Sequence, residues 1–275
     1  MESATLRRVP PLPNALQLGL IFGLLLLAAV AWAWTGDRMA GMDAGPGTDP
    51  GTLGFWLTAW VVMMAAMMFP SIAPMVLMHA RITEGKRRQG KTVEAGATAL
   101  FVCGYLITWA AAGLVGYLIV KGGQALDWGF LSWQRGGPYV AGAVIFGAAV
   151  YQLTPLKDVC LRNCRSPMMF LLTRWQPGRG GALRMGLEHG GWCVGCCWAL
   201  MAALFAVGVM SIGWMALIAA LIAIEKLLPW RGLANRGVAV VLLVLGLAVA
   251  FLPTQVPGLT LPSSQNSQSS MDTMR

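Results

Sequence analysis

The sequence predicts an all-α protein, a polytopic transmembrane helical bundle of about seven spans with its N-terminus cytoplasmic and its C-terminus outside. Composition, run length and charge placement carry that expectation. Of 275 residues, 57% are hydrophobic and only 11% charged, which is too apolar for a soluble surface. In hydrocarbon every backbone N–H and C=O must be satisfied within its own segment, so long apolar runs without strand alternation form helices.

Seven apolar segments follow one another along the chain: Leu16–Trp34, Leu53–Met78, Ala95–Val120, Pro138–Thr154, Gly190–Met210, Gly213–Leu228 and Gly237–Leu252. The first follows Arg7 and Arg8 and could alternatively be read as a signal peptide, with Ala31 and Ala33 framing a cleavage site. The fifth and sixth are separated only by Ser211 and Ile212 and read as a tight helical hairpin. With residues 1–15 in the cytoplasm, sixteen of the twenty Lys and Arg fall on the cytoplasmic side. Most lie in basic connections at 79–94 and 155–189, leaving only Arg38, Lys121, Arg135 and Arg275 outside. That bias is the positive-inside rule and accounts for the net charge of +9 without nucleic acid, for which no motif is present. The domain plan is thus a helical body over 16–252 and a Ser- and Gln-rich external tail over 253–275, expected to be disordered. No internal repeat at a fixed period marks an inverted-repeat transporter.

The residues suited to chemistry are clustered. In Glu188-His189-Gly190-Gly191-Trp192-Cys193-Val194-Gly195-Cys196-Cys197, helical spacing puts His189, Cys193, Cys196 and Cys197 within an arc of roughly 100°. One imidazole and three thiols then face the same way, while Gly190, Gly191 and Gly195 admit a close neighbour. Cysteine also serves as a small apolar core residue, but three in five positions with a histidine one turn earlier point to ligation. Cys160 and Cys164 form a C-x-x-x-C pair in the connection before this segment, on the same side of the membrane. The second segment carries Met63, Met64, Met67, Met68, Met75 and Met78, then His79, interrupted by Pro70 and Pro74. Such a stripe can be flexible core filling, yet the prolines free backbone carbonyls, a feature suited to a lined path. Two M-x-x-M pairs, Met39 with Met42 and Met271 with Met274, are expected outside. Glu225-Lys226 at the end of the sixth segment reads as a snorkelling or structural ion pair, or as part of a polar site.

Thiolate, thioether and imidazole together select soft ions, with Cu+ the best match and zinc the alternative. Zinc would favour a closed tetrahedral site, which Cys160, Cys164, Cys193 and Cys196 could supply. Copper also accounts for the methionines.

The runs TPLKDVCLRNCRSPMMFL, GLEHGGWCVGCCWALMAALFAVGVM, AIEKLLP and MMAAMMFPSIAPM resemble a bacterial family catalogued as metal-binding integral membrane proteins, sometimes labelled copper chaperone. The resemblance extends from about Leu53 to Leu252. It implies a multi-span fold and metal association, with Cys160, Cys164, His189, Cys193, Cys196 and Cys197 at the matching positions.

The expected function is Cu(I) handling at the cytoplasmic thiols of a bacterial inner-membrane protein. Metal would pass along the Met-lined second segment to an external cuproprotein or other copper-accepting partner. A membrane thiol–disulfide oxidoreductase using Cys160 and Cys164 with a pair among Cys193, Cys196 and Cys197 is one alternative. An accessory or assembly subunit stapled by zinc is another. No ATPase motif, G-x-S-x-G or H-E-x-x-H is present, so hydrolytic chemistry and catalytic residues are not expected.

Overall fold

The computed structural model describes residues 14–39, 51–90, 95–125, 136–208, 211–228 and 230–256. Among them every regular element is helical. In chain order these are α1 (Asn14–Met39), α2 (Leu53–Arg88), α3 (Ala97–Ala125), α4 (Gly137–Gln152), α5 (Pro155–Arg165), α6 (Pro167–Arg174), α7 (Gly178–Val207), α8 (Ile212–Leu227) and α9 (Arg231–Phe251), followed by a 3-10 turn at Pro253–Gln255. Each of the seven apolar segments is a helix. Five of them, α1, α2, α3, α7 and α9, are long and apolar enough to cross a membrane. α4 and α8 have 16 residues each, short of the roughly 20 that a straight span needs. The external tail beyond 256, Met42, and Met271 with Met274 lie outside the described residues.

Two helices run ten residues or more beyond the apolar pattern. α2 continues ten residues past Met78, and α7 begins twelve residues before Gly190. The added turns are charged, which hides them from a hydropathy reading, but Arg, Glu and Lys are good helix formers. They also pair along the helix: Glu84 with Arg87 and Arg88 at 3.0 and 3.2 Å, and Glu188 with Arg184 at 3.3 Å. His189 therefore sits well inside α7 rather than at its entry.

The prolines of α2 are accommodated by a neighbour. Pro70 has no N–H, so the carbonyl of Ala66, one turn earlier, loses its helical donor. The indole Nε1 of Trp32 on α1 donates to that oxygen at 3.1 Å. Further along, Trp56 and Trp60 of α2 each donate an indole N–H to α3, to the carbonyls of Gly113 and Trp109, both at 2.9 Å.

α7 is the centre of the packing and touches α3, α4, α5 and α8. Against α3 the contact is backbone on backbone. A methyl group added at Gly186 would lie 2.1 Å from the Phe101 carbonyl oxygen, and one at Gly104 would lie 2.2 Å from that of Leu183. Thr108 fills the remaining space, its hydroxyl donating to Leu187 O at 3.1 Å. Small residues at such a seam let helices approach closely enough for dispersion to hold them without a solvent-driven term.

The connection read between the fourth and fifth apolar segments is folded into α5 and α6. Thr154 caps α5, accepting from Lys157 N at 3.4 Å, and Pro155 occupies its first turn. Proline at that position suits a helix start but prevents α4 from running on. The chain turns by 68° between α4 and α5, and α5 lies back against α7 and α8.

Candidate metal centre

His189, Cys193, Cys196 and Cys197 are all buried, between 1 and 2% exposed, as one inward face of α7. The two later thiols are oriented by their own helix: Cys196 and Cys197 both donate S–H to the Cys193 carbonyl, at 3.1 and 3.0 Å. Of the three adjacent glycines, two face neighbours. Gly190 meets Thr108, and Gly195 meets the Cys160 sulfur, which would stand 2.9 Å from a methyl group placed there. Around Gly191 there is open space.

The fold-back of α5 brings the two cysteine groups together. The sulfurs of Cys164, Cys193 and Cys196 all lie within 4.8 Å of one another. They come from two helices, and Cys193 and Cys196 are fully buried while Cys164 is half-buried. Three thiols this close, in an apolar setting, fit the coordination habits of a soft ion. Cys160, Cys197 and His189 stand outside that trio. Cys160, the fourth thiol of the tetrathiolate read from the sequence, places its sulfur against Gly195. Cys103 is exposed on α3, away from the cluster.

Two polar groups reach the thiols, and neither was singled out as their partner from sequence. Tyr105 of α3 places its hydroxyl 3.1 Å from Cys193 Sγ. Lys226, in the last turn of α8, turns inward and donates from Nζ to Cys193 Sγ at 3.0 Å, with Met68 Sδ at 3.8 Å. Glu225 does not pair with its neighbour Lys226. Its partner is Lys157 of α5, at 2.6 Å, with both side chains at most 2% exposed. Arg165 donates to the carbonyls of Glu225 and Leu228, the first at 2.8 Å. Charged groups from α5 thereby fasten it to α8 beside the thiols.

The methionine stripe of α2 is core: Met63, Met64, Met67, Met68 and Met75 are 0–3% exposed, and Met78 is half-buried. Met68 is the member that reaches the centre. The two histidines share one aromatic partner, Phe101, at ring distances of 5.0 Å for His79 and 5.9 Å for His189. Trp175 also stacks on His79, and Phe170 packs edge-on to His189. His79 Nδ1 is 3.1 Å from the Thr98 hydroxyl. His79 Nε2 and His189 Nδ1 are buried without a hydrogen-bond partner among the described residues, an arrangement that leaves each ring one nitrogen free to act as a donor atom to a metal.

Fold and site together define an all-helical protein, rich in apolar helices long enough to cross a membrane, with a buried three-thiol cluster compatible with metal binding. Residues 57–249 match the model of the PpoB2 family, described as a copper chaperone. The chain belongs to that family. No curated protein matches it, and no solved structure does.

Proposed function

We propose that this is a multi-pass protein of the bacterial inner membrane that handles Cu(I), holding the ion at Cys164, Cys193 and Cys196 and passing it through Met68 and the α2 methionines to an external acceptor. The observation that carries the reading is the convergence of three thiols from α5 and α7 within 4.8 Å, inside an apolar bundle. Soft donors at low coordination number favour a monovalent soft ion over one that prefers a closed tetrahedral cage. Thiols bind metal as thiolates, so loading releases protons. Similar softness in the thiol trio and the Met stripe lets an ion move without meeting one deep trap. The N-terminus faces the cytoplasm in this reading, with the basic ends of α2 and α7 on that side.

The test is the metal content of the full chain purified anaerobically in detergent, measured by mass spectrometry for the wild type, Cys193→Ser and Cys103→Ser. Stoichiometric copper in the wild type and Cys103→Ser, lost in a folded Cys193→Ser, is the expected result. Zinc in place of copper would overturn the copper reading in favour of a structural staple. Metal-free protein with a Cys193–Cys196 or Cys164–Cys193 disulfide would overturn it in favour of thiol exchange.

A further inference from the structure

Lys226 is in an unusual position for a lysine at the end of an apolar helix. Such side chains ordinarily extend toward the interface, yet its ammonium points into the bundle. There it stands between a thiol and a thioether, 3.0 Å from Cys193 Sγ and 3.8 Å from Met68 Sδ. The carboxylate next to it in sequence makes its ion pair with Lys157, at 2.6 Å. The ammonium thus occupies a place where a cation is flanked by two soft sulfur donors, one from the thiol trio and one from the methionine stripe.

We propose that Lys226 marks a second metal position, a transfer site bridged by Cys193 and Met68, and acts as its gate. With the ammonium in place the position is closed to another cation; when Lys226 swings out, a monovalent soft ion moves from the trio onto the Cys193–Met68 pair. This rests on the metal-handling reading above and adds to it the point at which ions leave the thiols. Two like charges a few Å apart inside a protein repel by several kcal/mol even at a moderate effective dielectric, so the gate acts by charge more than by bulk.

Ag(I), a redox-inert soft monovalent ion, is the probe, titrated into the full chain in detergent. Stoichiometry is read by mass spectrometry and sulfur coordination by X-ray absorption. The wild type is expected to bind one equivalent tightly and a second weakly. Lys226→Gln should tighten the second by about tenfold or more, since the repelling charge is gone. Lys226→Arg, which keeps the charge, should not. Met68→Leu should abolish the second equivalent in both the wild-type and the Lys226→Gln backgrounds and leave the first intact. A second equivalent unchanged in Lys226→Gln, or one that survives Met68→Leu, overturns the gate. Met68→Leu in the wild-type background keeps the test decisive should Lys226→Gln fail to fold. Wild type that binds no Ag(I) at all sinks the metal-handling reading itself, a result distinct from the other two.

Discussion

The two sides of α7 are built on opposite plans. Toward α3 it shows glycine, and the helices meet backbone to backbone at Gly104 and Gly186, with Gly190 against the Thr108 side chain. Toward α5 and α8 it shows thiols that meet Cys164, Lys226 and, through Lys226, Met68. The first side is tightly packed, and Tyr105 reaches from α3 to a thiol, Cys193, at 3.1 Å. The second is full of reactive groups, and its partners are a short helix folded back on a proline-started turn and a lysine tail. The contrast teaches that rigidity and chemistry are separated by less than one helix diameter: the glycine seam fixes where Cys193 stands, and Cys164 and Lys226 reach it from the other side.

Substitutions can break this contrast from either side. The largest effect on stability is expected from Gly186→Leu, whose side chain meets the Phe101 carbonyl and forces the helices apart; overpacking of this kind costs about 3 kcal/mol. A detergent thermal melt would register it, and because the seam fixes where Cys193 stands, metal binding should weaken with it. Cys193→Ser separates the two effects. It should lose bound copper while its thermal transition moves far less than that of Gly186→Leu; equal loss of stability in the two would mean that the thiol face is structural as well. Trp32→Phe removes one buried indole donor from the Ala66 carbonyl and should destabilise by about 1 kcal/mol, read in the same melt. Smallest of all, Gly191→Ala meets open space and should stabilise by roughly 0.5–1 kcal/mol through helix propensity alone. A clear destabilisation there would show that this stretch of α7 has a partner the seam does not explain.

Much of this was legible in the sequence because helical periodicity is local. The arc holding His189, Cys193, Cys196 and Cys197 follows from 3.6 residues per turn and needs no knowledge of the rest of the chain. The proline-freed carbonyl of α2 is likewise a local deduction. What escaped was the set of contacts made by residues distant in sequence. Nothing near Thr154-Pro155 states that α5 returns onto α7, so the choice of Cys164 over Cys160 for the trio could not be read. The inward turn of Lys226 onto Cys193 and the pairing of Glu225 with Lys157, sixty-eight positions away along the chain, are both long-range contacts. Tyr105 lies in an ordinary apolar stretch and becomes visible only when the glycine seam draws α3 against α7. The late end of α2 and the early start of α7 were masked because charge lowers hydropathy without opposing helix formation.

The indole of Trp32 carries an implication for biogenesis. In the membrane reading, α1 is synthesised and enters the bilayer ahead of α2, so a donor is already in place when the helix with the missing Pro70 N–H arrives. In that reading the order of synthesis makes the Trp32 donor available by the time the Ala66 carbonyl reaches hydrocarbon.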